Sequence, residues 1–452
     1  MRSRRSSKGF ILVFSLGMLY LLLSLDWRGR RPAPPPRVVE RHLATGTGWS
    51  AGAARVDLTP PLPTLVAGYP APRPTATQAG PLLARAVVLK AGESSIGLVS
   101  LEVLEVPAAL AEQIRERGRG LGLVDVIVSA THSHTSFGGY DQRLIAEIAA
   151  TGRHDPVLKA HVVARAAEAL QGAQRALQPA RMRLARSEVA GVSVNRHQEA
   201  GEIDSRLTVL GLEGPAGELI ARIVVFGSHA TLAPRKAERL DGDWPGRAMS
   251  KLEEGAGVGI LLQGAMGDTT SRPPAGEGEP AERMGARIAQ SANEALLDAS
   301  DLAPTLAYAA IEFGLPRAEA DHAVPGFLRM PAANVLHAMA DRKAQLSVLR
   351  LPGLVLAFLP AEPTAGAARA LREGATPLLA PGEQMAWVSF AQGYVGYVEP
   401  VEVMKQGAGE AKRALFGPEL IERIAGALAK GLEATAVHEA AQPGSSGGAA
   451  VP

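Results

Sequence analysis

Two histidines separated by one residue, His132 and His134, are the side chains in this sequence best suited to chemistry. They follow the apolar run Val124–Ser129, which is typical of a buried strand, and Gly138 and Gly139 come shortly after them. Residues two apart on a strand share a face, so both rings are expected to point the same way. Neutral imidazole is a common zinc ligand. The pattern therefore predicts a metal site, with a chance pair of histidines in a turn as the alternative.

Other polar side chains stand where further predicted strands end, and loops at strand ends often carry functional sites. His229 follows the apolar run Ile223–Gly227, where a structural role is an equally good interpretation. Asp268 and Thr270 follow another apolar strand, and taken alone they indicate a turn capped by its own side chains.

Two oxygen ligands complete the candidate set. Glu362 lies between a predicted strand and a predicted helix, where a carboxylate is also favoured by the helix dipole alone. Tyr397 lies in a segment with two tyrosines, which in strands are usually packing residues. Together His132, His229, Glu362 and Tyr397 form a set of two nitrogen and two oxygen ligands that suits zinc with an open position for water. Manganese and iron remain alternatives.

Strand-like and helix-like segments alternate from about Trp49 onwards, and this predicts an α/β or α+β domain with a mixed sheet. The predicted strands are Ile96–Leu101, Val124–Ser129, Ile223–Gly227, Val258–Leu262, Leu346–Leu351, Leu354–Phe358 and Ala386–Phe390. The predicted helices are Pro107–Arg117, Pro156–Gln171, Pro280–Leu297, Thr364–Glu373 and Pro418–Leu432. All but one of these helices start at proline, a favoured first helical residue.

Composition limits the possible functions. The 452 residues are 46% hydrophobic and 20% charged, as in a globular protein, and they include no cysteine. Disulfides and thiolate metal sites are therefore impossible. Basic residues are concentrated in the first 41 positions and the rest is mildly acidic, which argues against nucleic-acid binding.

The N-terminus reads as a targeting segment, with a basic flank over 1–9 and an apolar run over 10–25. We expect a signal-anchor or a cleaved signal peptide, because sixteen apolar residues are marginal for a bilayer crossing. A Pro/Arg-rich linker over 26–47, a catalytic domain over 48–437 and a disordered tail over 438–452 would follow. The catalytic domain is then expected to be exported. It would be anchored to the membrane, or secreted or periplasmic if the segment is cleaved.

Six ordered groups of residues together resemble the neutral/alkaline (non-lysosomal) ceramidase family. They are Ala54–Pro61; Ala130–Gly139; Val194–Arg196; Gly227–His229 with Gly242–Gly246; Leu359–Glu362; and Gly393–Val398. The resemblance covers most of residues 50–435 and implies a single large ceramidase-type α/β catalytic domain around a mixed sheet.

The resemblance also implies roles for individual residues. His132, His229, Glu362 and Tyr397 match the family's zinc ligands, His134 matches a histidine that could act as general acid, and Arg196 matches a substrate-orienting arginine. The implied reaction is hydrolysis of the N-acyl amide of ceramide-like lipids to fatty acid and sphingoid base. Zinc-bound water would attack the amide carbon, and His134 would protonate the leaving amine.

Departures from the family pattern make the zinc chemistry better supported than ceramide as the substrate. Thr270, after Gly267 and Asp268, stands where the family has a serine, so Asp268 and Thr270 are candidate catalytic residues with an altered hydroxyl. The family's Tyr-Glu-Gly segment matches Gly409-Glu410-Ala411, so the tyrosine is replaced by Gly409, which predicts one missing polar contact. The chain ends before the immunoglobulin-like domain of ceramidase-type members. Two alternatives stay open: a zinc hydrolase of a non-sphingolipid amide or ester, and a non-catalytic cell-surface binding domain.

Overall fold

Two β-sheets packed face to face form the centre of the fold. The computed structural model describes residues 3–27, 33–234 and 238–436. The strands are β1 Arg37–Thr45, β2 Trp49–Asp57, β3 Thr64–Val66, β4 Arg73–Thr75, β5 Leu83–Ala91, β6 Ser94–Leu101, β7 Asp125–Ala130, β8 Gln178–Glu188, β9 Ser193–Asn195, β10 Arg206–Glu213, β11 Leu219–Phe226, β12 Val258–Gln263, β13 Thr269–Ser271, β14 Ser300–Asp301, β15 Thr305–Gly314, β16 Lys343–Leu351, β17 Leu354–Phe358, β18 Glu362–Pro363, β19 Gln384–Val388 and β20 Tyr397–Val398. The helices are α1 Ser3–Ser24, α2 Ala108–Arg119, α3 Leu144–Ala146, α4 Pro156–Arg175, α5 Asp243–Leu252, α6 Pro280–Leu297, α7 Arg329–Met339, α8 Ala365–Ala375, α9 Val401–Gln406 and α10 Glu419–Thr435.

The larger sheet has nine strands in the order β12-β11-β10-β8-β2-β5-β6-β7, with β14 paired to β8. The smaller sheet has five strands in the order β1-β15-β16-β17-β19. Most neighbours are antiparallel, but β6 and β7, β11 and β12, and β17 and β19 are parallel pairs. The mixed α/β class expected from the sequence is confirmed.

A core cluster between the sheets joins side chains from both, such as Leu89 and Ile223 of the larger sheet and Tyr308 and Leu356 of the smaller one. Helices cover the outer faces. α2 and α4 pack on one half of the larger sheet, α5 and α6 on its other half, and α8 and α10 on the smaller sheet. Strands covered on both faces are mostly apolar along their length, which explains the continuous apolar run of β17 and the apolar centre Val126–Val128 of β7.

Helix starts follow local capping rules. α4 begins at Pro156, and the preceding Asp155 carboxylate accepts the backbone N–H of Val157 at 2.8 Å. α8 follows Thr364, whose hydroxyl oxygen accepts the backbone N–H of Ala367. Each predicted strand and helix is present in the structure, shifted by a few residues at most.

The region N-terminal to the first sheet differs from expectation. The predicted linker over 26–47 contains β1, whose residues Arg37–Thr45 pair with β15 along the edge of the five-stranded sheet. No apolar run marks this strand, because its side chains alternate between exposed and half-buried. The predicted disordered tail at 438–452 lies outside the described residues.

The expected signal-anchor is not supported. Residues 3–24 form a helix, α1, but across the part of the chain that the structure describes no helix combines the length and the apolar character that crossing a bilayer requires.

Candidate metal centre

Residues that follow β7, β11 and β17 meet at one place. The imidazole Nε2 atoms of His132 and His134 are 2.9 Å apart, and the ligand atoms of His132, His134 and His229 all lie within 4.8 Å of one another. His132 and His229 are buried, and His134 is half-buried. This three-histidine cluster brings together His132 and His229, which were predicted as ligands, and His134, which was predicted as their neighbour.

Backbone carbonyls orient the three rings. The Nδ1 atoms lie 2.8 Å from the Leu104 oxygen for His132, 2.8 Å from the Gly68 oxygen for His134, and 2.9 Å from the Met266 oxygen for His229. A carbonyl can only accept, so each Nδ1 carries the proton and each Nε2 presents a lone pair to the cluster.

His132 reaches this position by leaving the strand. β7 ends at Ala130, and His132 has φ +61°, a conformation that is uncommon for residues other than glycine. Phe390 stacks on its ring, with centroids 3.9 Å apart and planes at 14°. The two histidines thus converge as predicted, but through a left-handed turn, and the prediction of a shared strand face is wrong. Such strain is common at functional sites.

Electrostatics keep the cluster neutral. Burial lowers the pKa of His132 well below its usual range. Burial, the nearby His229 ring and the Arg196 guanidinium lower the pKa of His134 to about 3. Burial and the Arg196 charge also lower the pKa of His229 to about 3. At neutral pH the rings are therefore unprotonated and able to bind a cation.

Glu362 supplies an oxygen to the same point. Its Oε2 lies 3.7 Å from the His132 Nε2 and 3.5 Å from the His229 Nε2. This oxygen is buried and accepts no hydrogen bond from any residue that the structure describes. Three imidazole lone pairs and one unpartnered carboxylate oxygen would repel one another across a dry pocket. A divalent cation held by His132, His229 and Glu362 would relieve this repulsion, and these nitrogen and oxygen donors fit a metal such as zinc.

Tyr394 holds the other Glu362 oxygen. The tyrosine hydroxyl donates to Oε1, and its ring stacks against Phe390 at 5.8 Å. Burial raises the pKa of Tyr394 well above its usual value, so the hydroxyl stays protonated and remains a donor. The sequence predicts Tyr397 as the metal ligand from this segment. Spacing along the chain does not distinguish a tyrosine that binds the metal from one that donates a hydrogen bond to Glu362.

Tyr397 lies beside the cluster in the cavity wall. It pairs with Glu362 between β18 and β20, and its ring faces the Arg196 guanidinium at 5.4 Å from the ring centroid. Burial and the Glu362 charge raise its pKa above the usual range. The neutral phenol therefore lies within the site, next to the carboxylate with which it was predicted to share a metal.

Arg196 approaches the cluster from β9. Its Nε donates to Glu410 Oε1 at 2.6 Å, and its Nη1 lies 3.5 Å from the His229 Nε2. Its Nη2 is buried and has no hydrogen-bond partner within the described residues. The predicted position of Arg196 at the site is thus found, with donor capacity left for a substrate.

Glu410 was not recognised as a functional residue from the sequence. Its carboxylate is buried and accepts from Arg196, His197 and Arg413, the last at 2.8 Å. Glu410 thereby fixes Arg196, and the loss of a tyrosine contact at Gly409 stays a prediction. The available signal was a charged residue directly after Gly407 and Gly409.

Asp268 and Thr270 do not reach the cluster. Asp268 accepts the backbone N–H of Ala365 at 3.0 Å and the Asn195 amide at 2.7 Å, so it ties the start of α8 to β9. Thr270 is exposed on β13, where it pairs with Val194. Strand alternation places its neighbours inward instead: Thr269 and Ser271 contact the His229 backbone. The predicted catalytic hydroxyl is therefore on the wrong face of its strand.

The cluster opens into a cavity of about 620 Å³. Its apolar wall comes from two segments, Gly68–Pro70 and the helical stretch around Ile145–Ala150, together with Leu104 and Leu415. Its polar lining comprises Glu105, His132, His134, Arg143, Arg196, His229, Thr231, Glu362, Tyr394, Tyr397 and Arg413. A metal-capable centre at the base of a mixed apolar and charged cavity suits an amphipathic substrate.

The family model described as neutral/alkaline non-lysosomal ceramidase, N-terminal, matches residues 49–259. A search of curated proteins found no match.

Two solved structures share the fold. The neutral ceramidase from Pseudomonas aeruginosa has 17% sequence identity and a TM-score of 0.73, over 86% of this chain and 75% of the other. A ceramidase complexed with C2 has 17% identity and a TM-score of 0.74, over 85% and 75%. These two structures show that the chain shares their fold, and the family model matches a little under half of the chain.

Proposed function

We propose that this protein is a zinc-dependent amidohydrolase that cleaves the N-acyl amide of ceramide-like lipids to a fatty acid and a sphingoid base. The observation that carries the proposal is the three-histidine cluster in the cavity, in which the Nε2 atoms of His132 and His229 lie within 3.7 Å of the unpartnered Glu362 Oε2. The names of the two similar structures, both ceramidases, support the amide substrate.

His132, His229 and Glu362 would hold the metal, with Tyr397 beside them. A bound zinc would supply Lewis acidity, polarising the amide carbonyl and lowering the pKa of a water molecule. The backbone carbonyls on each Nδ1 fix the imidazole tautomers, and Tyr394 fixes the carboxylate, so the ligands are positioned before the metal arrives.

His134 would handle the proton. Its Nε2 faces the cluster while its Nδ1 is held by the Gly68 carbonyl, so the free nitrogen can accept a proton and deliver it to the leaving amine. Arg196 would orient the substrate, since its Nη groups face the cluster while Glu410 holds its Nε.

The cavity wall would hold the acyl chain. Ile145, Ala146 and Ala149 present small apolar groups to the cavity, and burying methylenes there stabilises binding by about 0.8 kcal/mol each. A bound acyl chain would exclude water from this wall, which would strengthen electrostatic interactions near the metal centre.

The test is hydrolysis of a fluorescent N-acylsphingosine by the full chain loaded with zinc, together with zinc content by elemental analysis. We expect turnover and one zinc per chain. The double variant His132→Ala/His229→Ala should lose both. A matched His161→Ala variant, on α4 and outside the cavity, should keep both. Turnover retained in the double variant would contradict the proposal.

A second candidate keeps the metal chemistry but takes a non-sphingolipid amide or ester. The charged lining of the cavity favours it, because ceramide carries no charge. One bound zinc without turnover of any N-acylsphingosine, but with turnover of water-soluble amides, would select this candidate.

A further inference from the structure

Charge at the cavity is unevenly balanced. Arg143 is neutralised by two buried carboxylates, Glu105 at 2.8 Å and Asp141 at 2.6 Å. Glu362 faces the histidines. Arg196 and Arg413, in contrast, share the single carboxylate of Glu410. Arg196 and Arg413 are therefore less completely paired with carboxylates than Arg143 is.

Glu410 positions the two guanidinium groups rather than saturating them. Oε1 accepts the Arg196 Nε at 2.6 Å and Oε2 accepts one nitrogen of Arg413, Nη1, at 2.8 Å. The carboxylate is itself anchored from behind, since the Glu410 backbone N–H donates to Glu399 Oε1 at 2.7 Å. A guanidinium has five N–H donors, so both arginines keep capacity for a ligand.

The remaining donors point to an anion. Arg196 Nη2 is buried without a partner among the described residues, and leaving a buried donor unsatisfied is costly. Arg413 also lines the cavity and its side chain is 60% exposed, so a ligand group near it can keep part of its hydration. Two guanidinium groups disfavour a cationic group and match a carboxylate or phosphate.

We propose that Arg196 and Arg413, held by Glu410, form an anion-binding subsite, and that the substrate is an N-acyl lipid with a carboxylate or phosphate on its amine portion. This inference rests on the proposed amide hydrolysis and narrows its substrate class. The acyl chain occupies the apolar wall near Ile145, and the anionic group reaches the arginine side. The acyl chain of neutral N-acylsphingosine would occupy the apolar wall, but this lipid has no anionic group to bind Arg196 and Arg413.

Matched synthetic amides test the inference. N-lauroylserinol is neutral, N-lauroylserine adds a carboxylate, and N-lauroylserinol phosphate adds a phosphate, while the acyl chain and scissile amide stay the same. With the zinc-loaded full chain we expect kcat/KM to be at least about tenfold higher for one or both acidic amides, the gain of a charge-assisted pair. Comparing N-lauroylserine with N-lauroylserinol phosphate shows whether the subsite prefers a carboxylate or a phosphate.

Variants assign the preference to Arg413. Arg413→Gln should reduce the ratio of acidic to neutral kcat/KM by about tenfold, and Arg413→Lys should retain part of it. Arg369→Gln is the matched control, because Arg369 is similarly exposed and pairs with Glu202 outside the cavity. It should leave the ratio unchanged. Calorimetric titration of metal-free protein measures binding without turnover. We expect N-lauroylserine to bind more tightly than N-lauroylserinol.

The outcomes separate the two proposals. Equal or lower kcat/KM for the acidic amides, or an unchanged ratio in Arg413→Gln, would overturn the anion subsite and leave amide hydrolysis standing. No turnover of any of the three amides or of N-acylsphingosine would instead overturn the proposed function. In that case, tighter binding of the acidic amide by calorimetry would still support the subsite, and equal binding would overturn it too.

Discussion

At the scale of single residues, the site depends on how each ligand is held. His132, His134 and His229 each bond a backbone carbonyl through Nδ1, so their tautomers are set by main chain that side-chain substitutions cannot easily move. Glu362 is held by one side chain, Tyr394, through a single hydroxyl. The histidine ligands are therefore robust, and the carboxylate ligand is the one sensitive to its neighbour.

His134 is expected to act on the proton rather than on the metal. In His134→Gln we expect one zinc per chain to be retained and kcat to fall by about 10² to 10⁴, the usual contribution of general acid–base catalysis. Elemental analysis and steady-state kinetics on the same preparation measure both. If zinc is lost together with activity, His134 is a ligand and the assignment to proton transfer is wrong.

Tyr394 is expected to tune metal affinity. Tyr394→Phe keeps the ring that stacks on Phe390 but removes the donor to Glu362, and loss of such an outer contact typically weakens metal binding by about 10- to 100-fold. Competition with a chromogenic chelator measures the affinity. Tyr140→Phe is the control, because that buried tyrosine bonds the Glu105 backbone and does not line the cavity. Equal zinc affinity in Tyr394→Phe and the unsubstituted protein would exclude this role.

At the scale of elements, the site is assembled from segments far apart in the chain, and short strands join them. β9 with β13, and β18 with β20, are two-stranded sheets that carry or flank Arg196, Glu362 and Tyr397. Asp268 links these pieces, because it bonds Asn195 of β9 and the first residue of α8. Its contribution belongs to the framework of the site and not to the reaction.

Asp268 and Thr270 are therefore expected to respond differently to substitution. Asp268→Ala leaves the buried backbone N–H of Ala365 unpaired and removes one of the two acceptors of the Asn195 amide, so it should lower the free energy of unfolding by about 1 to 3 kcal/mol. Thr270→Val, on the exposed face of β13, should stay within about 0.5 kcal/mol and keep full activity. Denaturant unfolding and kinetics on both variants check this. Activity lost in Thr270→Val without loss of stability would restore a catalytic role for its hydroxyl.

At the scale of the whole molecule, the metal centre lies where both sheets contribute. His132 and His229 follow strands of the nine-stranded sheet, and Glu362 follows β17 of the five-stranded sheet. A metal bound by all three connects the two sheets in the folded state and has no preformed site in the unfolded chain. Binding free energy then adds to folding free energy.

Chelation should therefore lower thermal stability as well as activity. Removal of metal with a chelator should lower Tm, and added zinc should restore it, because a ligand that binds only the folded state stabilises it by mass action. In His132→Ala/His229→Ala the chelator should have no effect on Tm. A Tm independent of zinc in the unsubstituted protein would speak against a metal that joins the sheets.

Export of the domain stays a prediction. The N-terminal composition that motivated it, a basic flank before an apolar run, is a property of the sequence alone. Cell fractionation with protease protection of the full chain checks it, and recovery of the protein solely from the cytoplasm would contradict it.

The sequence by itself determined the mixed α/β class, seven of the strands, five of the helices and several of the residues that meet at the cavity, whereas the long strands β2, β5, β8, β10 and β15 were not predicted. This was possible because apolar runs, proline helix starts and ordered local motifs are short-range signals. It also identified His132, His229, Glu362 and Arg196 as site residues, since each stands directly after, or within, a recognisable segment.

Only the tertiary structure decided the rest. Contacts between distant segments determine four features of the site. These are the left-handed turn at His132, the hydrogen bond of Tyr394 to Glu362, the outward face of Thr270 and the contacts of Glu410 with two arginines. The edge strand β1 was not predicted, because none of its side chains is fully buried and no apolar pattern marks it. Spacing along the chain carries no information about which of several polar groups will face a common point, because that is set by how the two sheets pack.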